Sequence, residues 1–167
     1  MSGILPVSKH ENNIYFFFGR EALIPETQHS GLWSDFGGSI EKNETKIETA
    51  IREGHEETSG IIGNKYDINH LIKHKLITKI STKTYTSFLI EIDYDKQLPA
   101  KLKKIYNNAL KYLHEEVIHE NGLYEKDRGK WIRLERLKYN MDIFRPWYKK
   151  IVYKIIDYFY KETINKQ

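Results

Sequence analysis

Hydrophobic and polar positions along the chain change period several times, and each change predicts an element. Val7 to Gly19 reads as strand, turn, strand, because the polar pair Asn12 and Asn13 precedes the apolar-aromatic run Ile14–Phe18. A loop containing Pro25 covers Glu21 to Gly31, and Leu32 to Ile40 is extended around the pair Gly37 and Gly38. Thr45 and Glu48 form a T-x-x-E capping box, which sets a helix start near Thr45. Ile47, Ala50, Ile51 and Thr58 supply its buried stripe, and Gly60 its stop.

Ile68 to Ile80 and Thr84 to Ile92 then read as two β segments. In the second, Tyr85, Ser87 and Leu89 alternate with Thr86, Phe88 and Ile90. Leu98, Leu102, Ile105, Ala109, Leu113 and Val117 recur at helical spacing and predict a long helix over Pro99–Glu120. Gly129 to Leu134 returns to strand, and Trp147, Ile151, Ile155 and Phe159 mark a C-terminal helix that begins at Pro146. With no internal repeat and no long linker, residues 1–167 read as a single α+β or layered α/β domain.

Composition narrows the classes. The chain has 167 residues, 40% hydrophobic and 30% charged with both signs interspersed, so it can bury a core and is not a disordered tail. No apolar run approaches the roughly 20 residues of a membrane span, so no membrane partner is expected. Zero Cys excludes disulfides, thiolate metal sites and a Cys nucleophile. Together with a start that lacks signal-peptide character, this leads to the expectation of an intracellular, cytoplasmic protein. The net charge of +4 conceals a split: residues 1–100 carry 11 basic and 14 acidic side chains, residues 101–167 carry 16 and 9. A basic second half beside an acidic centre suits phosphates or nucleic acid, and equally a solvated basic surface.

The candidate chemistry lies in the acidic centre, at Glu41, Glu44, Glu48, Glu53, Glu56 and Glu57. On a helix beginning near Thr45, residues 53, 56 and 57 project within two turns of one another. Like charges so close ask for a cation, and an oxygen-only donor set suits Mg²⁺, with Mn²⁺ able to occupy the same ligands. Arg52, four residues before Glu56, can hold that carboxylate. A solvent-facing helix laced with ion pairs is the competing reading.

Gly38, five residues, Glu44, seven residues, Arg52-Glu53, then Glu56-Glu57 resembles the Nudix box, the loop–helix–loop motif of nucleoside-diphosphate-linked hydrolases. Every charged position and both long intervals match over residues 38–60. Two positions depart: Gly54 stands where the family prefers an apolar side chain, and Ser59 takes the place of the closing glycine, which follows at Gly60. The resemblance implies an α/β/α sandwich around a mixed sheet and Mg²⁺-dependent attack of water on a diphosphate. It implies metal-binding or catalytic roles for Glu53, Glu56 and Glu57, with Glu53 alternatively activating the nucleophile. Arg52 would organise the site, Gly37 and Gly38 would bring backbone close to phosphate or metal, and the Gly38 carbonyl would be a metal ligand. Glu44 would pair with Arg52 or brace the loop.

Family members often draw a further carboxylate from outside the box, and here Glu116 is the candidate catalytic group and Glu120 the candidate metal ligand. Trp33 and Phe36 are candidates to stack on a base, and Arg20, Lys79 and Lys83 to meet phosphate. The expected substrate is a nucleoside triphosphate or a nucleoside diphosphate derivative. The alternatives are capped RNA cleaved by a decapping enzyme, with Lys103, Lys104, Arg128, Lys130 and the C-terminal helix cradling the strand, and a catalytically silent RNA- or protein-binding module. A homodimer is expected from family habit alone.

Overall fold

Three consecutive phenylalanines explain the layering. Phe16, Phe17 and Phe18 are all fully buried, although successive strand residues point to opposite faces. The sheet that holds them must therefore be covered on both sides. The structure, a computed structural model, describes residues 1–24, 28–114 and 124–164. In it, β1 (Ser2–His10), β2 (Asn13–Glu21), β3 (Trp33–Ser34) and β4 (Phe36–Gly38) precede α1 (Lys46–Glu57) and α2 (Lys65–His74). Then follow β5 (Leu76–Ser81), β6 (Thr86–Glu91), α3 (Leu98–Tyr112) and β7 (Lys126–Arg133). A short α4 (Leu134–Leu137), a 3₁₀ turn (Lys138–Ile143) and α5 (Lys149–Ile164) close the described chain.

The strands form one mixed sheet in the order β3-β2-β1-β6-β5, with β4 on β1 and β7 on β2. β1 pairs parallel with β6 and antiparallel with β2 and β4, so it is central and buried from Ser2 to Ser8. Phe16 and Phe18 join Leu5, Val7 and the α5 residues Ile151, Ile155 and Phe159 on one face. Phe17 joins Ile4, Ala50 of α1, Ile68 and Ile72 of α2 and Leu102 of α3 on the other. The expected α/β/α sandwich around a mixed sheet is present.

The predicted β segment Ile68–Ile80 divides: Lys65–His74 is helical, and only Leu76–Ser81 is strand. Asn64 caps the helix by accepting from the backbone of Tyr66 (2.8 Å) and Asp67 (3.1 Å), while Asp67 accepts from the Asn64 amide (2.9 Å). Ile68, Leu71 and Ile72 have helical spacing, so the local signal was a cap and a period of 3.6. The long helix stops at Tyr112, because Leu113 turns extended at φ −112° and ψ 148°; Val117, Glu116 and Glu120 lie outside the described residues. The last strand starts at Lys126, three positions before the expected Gly129. The C-terminal helix starts at Lys149, after a turn at Pro146–Tyr148.

α1 begins at the expected cap: the Thr45 hydroxyl accepts from the Glu48 amide (3.3 Å), and Glu48 accepts from the Thr45 amide (2.8 Å). Of the expected inner face, Ala50 and Thr58 are buried and Ile51 is half-buried, but Ile47 is exposed; Thr49, Gly54 and Glu57 are buried in addition. Gly54 packs directly on β1, where a Cβ would stand 2.6 Å from Cδ1 of Ile4. This explains the first departure from the box: a side chain there would push the helix off the sheet. At the second departure, Ser59 (φ 51°) and Gly60 (φ +72°) are both left-handed, so the chain reverses through both residues in turn.

Two tests follow from this packing. Gly54→Ala gains about 1 kcal/mol of helix propensity but overpacks Ile4, and a net loss of about 1–2 kcal/mol in urea unfolding is expected. Ile4→Val, which removes Cδ1, should cost less in that background than in wild type. The second test concerns Asp35, which is fully buried between β3 and β4 and accepts from Ser87 Oγ (2.5 Å) and Tyr85 Oη (2.6 Å). Burial pushes its carboxyl up to about 6, against the pull of Ser87, Tyr85, Lys126 and Tyr148. The folded chain then holds a proton that the unfolded chain has released above its ordinary value of 3.8. Stability from this group is therefore present at the acid end and lost as pH rises to about 6, by about 3 kcal/mol. Asp35→Asn should flatten the unfolding free energy across that window by about this amount, and a slope equal to wild type would exclude it.

Candidate active site

The glycine pair at the end of β4 brings bare backbone against two acids of α1. The Gly37 amide donates to Glu57 Oε2 at 2.6 Å. Its Cα leaves no room for a side chain between Gly3 and the Tyr85 hydroxyl, and a Cβ on Gly38 would collide with the Glu53 carboxylate. Both glycines are thus required by close approach.

Arg52 organises one half of the acids. Its Nε and Nη2 grip Glu44 at 2.7 and 3.0 Å, its Nη1 reaches Glu53 at 2.9 Å and Glu56 at 3.1 Å, and Nη2 also donates to the Ser39 carbonyl at 3.0 Å. The hydrogen bonds from Arg52 hold the Glu44 carboxyl down to about 2. Glu44 therefore faces its arginine, as expected, and braces the loop through Thr49 (2.9 Å) and the Glu41 amide (3.0 Å). Glu53 behaves differently: burial raises its carboxyl and Arg52 opposes the rise, while Glu125 and Glu56 add to it.

The other half gathers on a buried lysine. Lys126, fully buried at the start of β7, contacts Glu57 at 3.2 Å, Ser34 Oγ at 3.1 Å, and Glu21, which Arg145 also holds at 2.9 Å. Burial works against the ammonium, but the charges of Glu57 and Glu21 outweigh it and raise the Lys126 pKa. Glu57, buried as well, has its carboxyl raised well above the ordinary value by that burial, with Lys126 opposing. Crowding by the protein and then the charge of Glu21 raise Glu125. Glu21, Glu57 and Glu125 each offer an oxygen within 4.8 Å of the others. Hard oxygen donors this close fit a divalent cation such as Mg²⁺.

Beside these acids, a cavity of about 250 Å³ is lined by Glu21, Glu125, Gln28, His29, Ser30 and Arg145, with Ala22 and Ile24. The His29 Nδ1 and Arg145 Nε atoms are buried there without a hydrogen-bond partner among the described residues. Burial, and then the charge of Arg145, lower the His29 pKa.

Chains of known structure share this architecture. An Ap4A hydrolase from C. elegans, solved as a binary complex, aligns over 96% of this chain and 96% of its own with a TM-score of 0.54 at 16% identity. RenU, a Nudix hydrolase from M. smegmatis, aligns over 96% of this chain and 85% of its own with a TM-score of 0.51 at 12% identity. The chain has the Nudix fold. No protein-family model matches its sequence, and no curated protein matches it either. Within this fold Gly37, Gly38, Arg52, Glu53, Glu56 and Glu57 meet where β4 abuts α1.

The remaining candidates lie elsewhere. Phe36 is fully buried and stacks on Phe17 at 5.5 Å, so it offers no ring face to a base. Trp33 is half-buried against the α5-side core and bridges to Phe144. Arg20 is committed to Asp127, Nε to Oδ1 at 2.8 Å, which leaves it no free fork for phosphate. Lys79 is exposed on β5, 5.8 Å from the Phe88 ring centre, and Lys83 is exposed in the β5–β6 turn. Glu116 and Glu120 lie outside the described residues.

Sequence reasoning missed Glu21, Glu125, Lys126 and Arg145. The available signal was a charged triplet, Glu125-Lys126-Asp127, immediately before an apolar strand pattern, and a Glu closing the strand of Phe16–Phe18. Lys126→Met leaves Glu57 buried without its ammonium and Glu21 with Arg145 alone, so a loss of about 3–5 kcal/mol in urea unfolding is expected. Adding Glu21→Gln should recover part of it, and millimolar Mg²⁺ should raise the single variant's midpoint more than NaCl at equal ionic strength. A Lys126→Met protein as stable as wild type would contradict this account of the cluster.

Proposed function

We propose that the chain is a Mg²⁺-dependent pyrophosphohydrolase that cleaves a diphosphate linkage in a nucleoside triphosphate or a nucleoside diphosphate derivative. The observation that carries this reading is the convergence of two glycines, Arg52 and five carboxylates (Glu21, Glu53, Glu56, Glu57 and Glu125) around one junction of sheet and helix. Glu53, Glu56 and Glu57, with the Gly38 carbonyl and Glu125, would hold Mg²⁺ or Mn²⁺. When bound, the ion would offset phosphate charge and ease deprotonation of water.

The chain's own residues do the rest. Arg52 fixes Glu53 and Glu56 in register, and the bare backbone of Gly38 lets the Glu53 carboxylate lie against it. Whichever of Glu53 and Glu125 stands off the metal is suited to accept the proton of the attacking water. As the water oxygen bonds to phosphorus, the bridging P–O bond breaks and the leaving phosphate departs with its electron pair. Glu125 supplies a carboxylate from outside the box, and Glu116 and Glu120 lie outside the described residues. The neighbouring cavity with Arg145, Gln28 and His29 would receive the group beyond the diphosphate.

The test is product analysis with a panel in Mg²⁺: dNTPs, ADP-ribose, dinucleoside polyphosphates, diphosphoinositol phosphates and capped RNA. Turnover of at least one member is expected, with Glu56→Gln lowering kcat on the order of 10²-fold or more. Absence of turnover across the panel, or turnover untouched by Glu56→Gln, would leave the catalytically silent module as the better reading. Capped RNA belongs on the panel because residues 101–167 are strongly basic.

A further inference from the structure

Positive charge gathers at the end of the sheet remote from the acids. β2 and β7 run antiparallel from Glu21 opposite Lys126 to Tyr15 opposite Arg133, a span of about 20 Å along a strand. At the far end a cavity of about 240 Å³ is lined by Tyr15, Lys130, Trp131, Arg133, Arg136 and Asn140, with Ile132 at its floor and no acidic side chain in its wall. Arg133 pairs with Glu135 at 3.0 Å; Lys130 and Arg136 have no ion pair among the described residues.

Aromatic rings continue outward from Tyr15 and Trp131 in the cavity lining. Tyr94 stacks on His10 at 4.4 Å with planes 11° apart, and lies 4.8 Å from Tyr15 and 5.3 Å from Trp131. The Trp131 indole is fixed by its hydrogen bond to the Asp95 carbonyl at 2.8 Å. His10 is exposed, and Tyr15, Tyr94 and Trp131 are half-buried.

We propose that this patch binds single-stranded nucleic acid, with Lys130, Arg133 and Arg136 on its phosphates and the rings of Tyr15 and His10, the latter backed by Tyr94, against its bases. Cations in a concave site take phosphodiester charge, and flat rings beside them take unpaired bases of any sequence. An acidic peptide would use the cations and leave the rings idle. A duplex would hide its bases from the rings, and the cavity is too small to follow a groove. Asn140, whose side-chain amide donates to the Arg136 carbonyl at 2.7 Å, keeps its carbonyl oxygen for a base edge or a sugar hydroxyl. The inference does not rest on the hydrolytic reading, since binding needs neither metal nor turnover.

The experiment is fluorescence anisotropy with labelled single strands of about 12 nucleotides, RNA and DNA in separate arms, in EDTA and over a salt series. Binding of either strand, weakening with salt, is expected. Arg133→Ala with Arg136→Ala should weaken it at least about tenfold and reduce the salt slope by about 1.4. Tyr15→Leu should weaken binding about fivefold or more with the slope unchanged. Lys130→Ala, at an exposed position that keeps the fold, should reduce the slope by about 0.7. Lys103→Ala with Lys104→Ala, the same charge change on α3, should alter affinity less than about twofold. Three results would overturn the proposal: no binding at low salt, equal loss from the α3 pair, or polyglutamate binding as tightly with no effect of Tyr15→Leu. Hydrolysis of a small substrate reports separately on the acid cluster.

Discussion

The contact on which the site depends is the burial of the Lys126 ammonium between Glu21 and Glu57. An ammonium removed from water is tolerated only where carboxylates and hydrogen bonds surround it. Here the lysine of β7 draws partners from three other elements: β2 brings Glu21, β3 brings Ser34 and α1 brings Glu57. Glu57 then holds the Gly37 amide with its other oxygen. The spacing between helix and glycine strand is thereby set by a charge that never meets solvent. With Arg145 on Glu21, two cations face two carboxylates, so the interior of the cluster is balanced while Glu53, Glu56 and Glu125 remain toward its mouth.

Two cations of different kinds sort the acids into different states. The planar fork of Arg52 binds Glu44 through two nitrogens and holds it strongly ionised. Lys126 is a point charge shared between two carboxylates, so neither receives a fork, and burial keeps Glu57 raised. Glu53 sits between the two systems, touching Arg52 and feeling Glu125. A set of carboxylates whose environments drive them apart can divide structural and proton-accepting work among chemically identical groups.

How much of this was legible in the sequence depends on whether a feature is local. The cap at Thr45, the paired glycines and the spacing from Arg52 to Glu57 are short-range facts, and the structure places them as read. Ile47 was misplaced because an apolar residue ordinarily belongs inside, whereas α1 turns its smallest residue, Gly54, inward to approach Ile4. The helix at Lys65–His74 was missed because β-branched residues outweighed the Asn64–Asp67 cap. For Lys126 and Glu125 the only local sign is the charged triplet Glu125-Lys126-Asp127. A lysine in a charged triplet looks like surface, and only the pairing of Glu21 with Lys126 across β2 and β7 brings it under the acids from a hundred residues away. Arg20 misled for the same reason: its partner, Asp127, is as distant in sequence.

β7 joins the two charged regions of the molecule. Its first residue is sunk in the acid cluster, while Lys130 and Arg133 stand near its other end. Arg133 lies about 20 Å away and Lys130 about 13 Å, both beyond the Debye length of about 8 Å at physiological salt. Solvent and ions therefore screen the exposed cations from the carboxylates, and the basic end can gather phosphate without neutralising the donors that a metal would need. The cation that does act on the acids is the buried one, where screening cannot reach. Burial thus decides which positive charges on a single strand belong to the site and which remain free for another ligand.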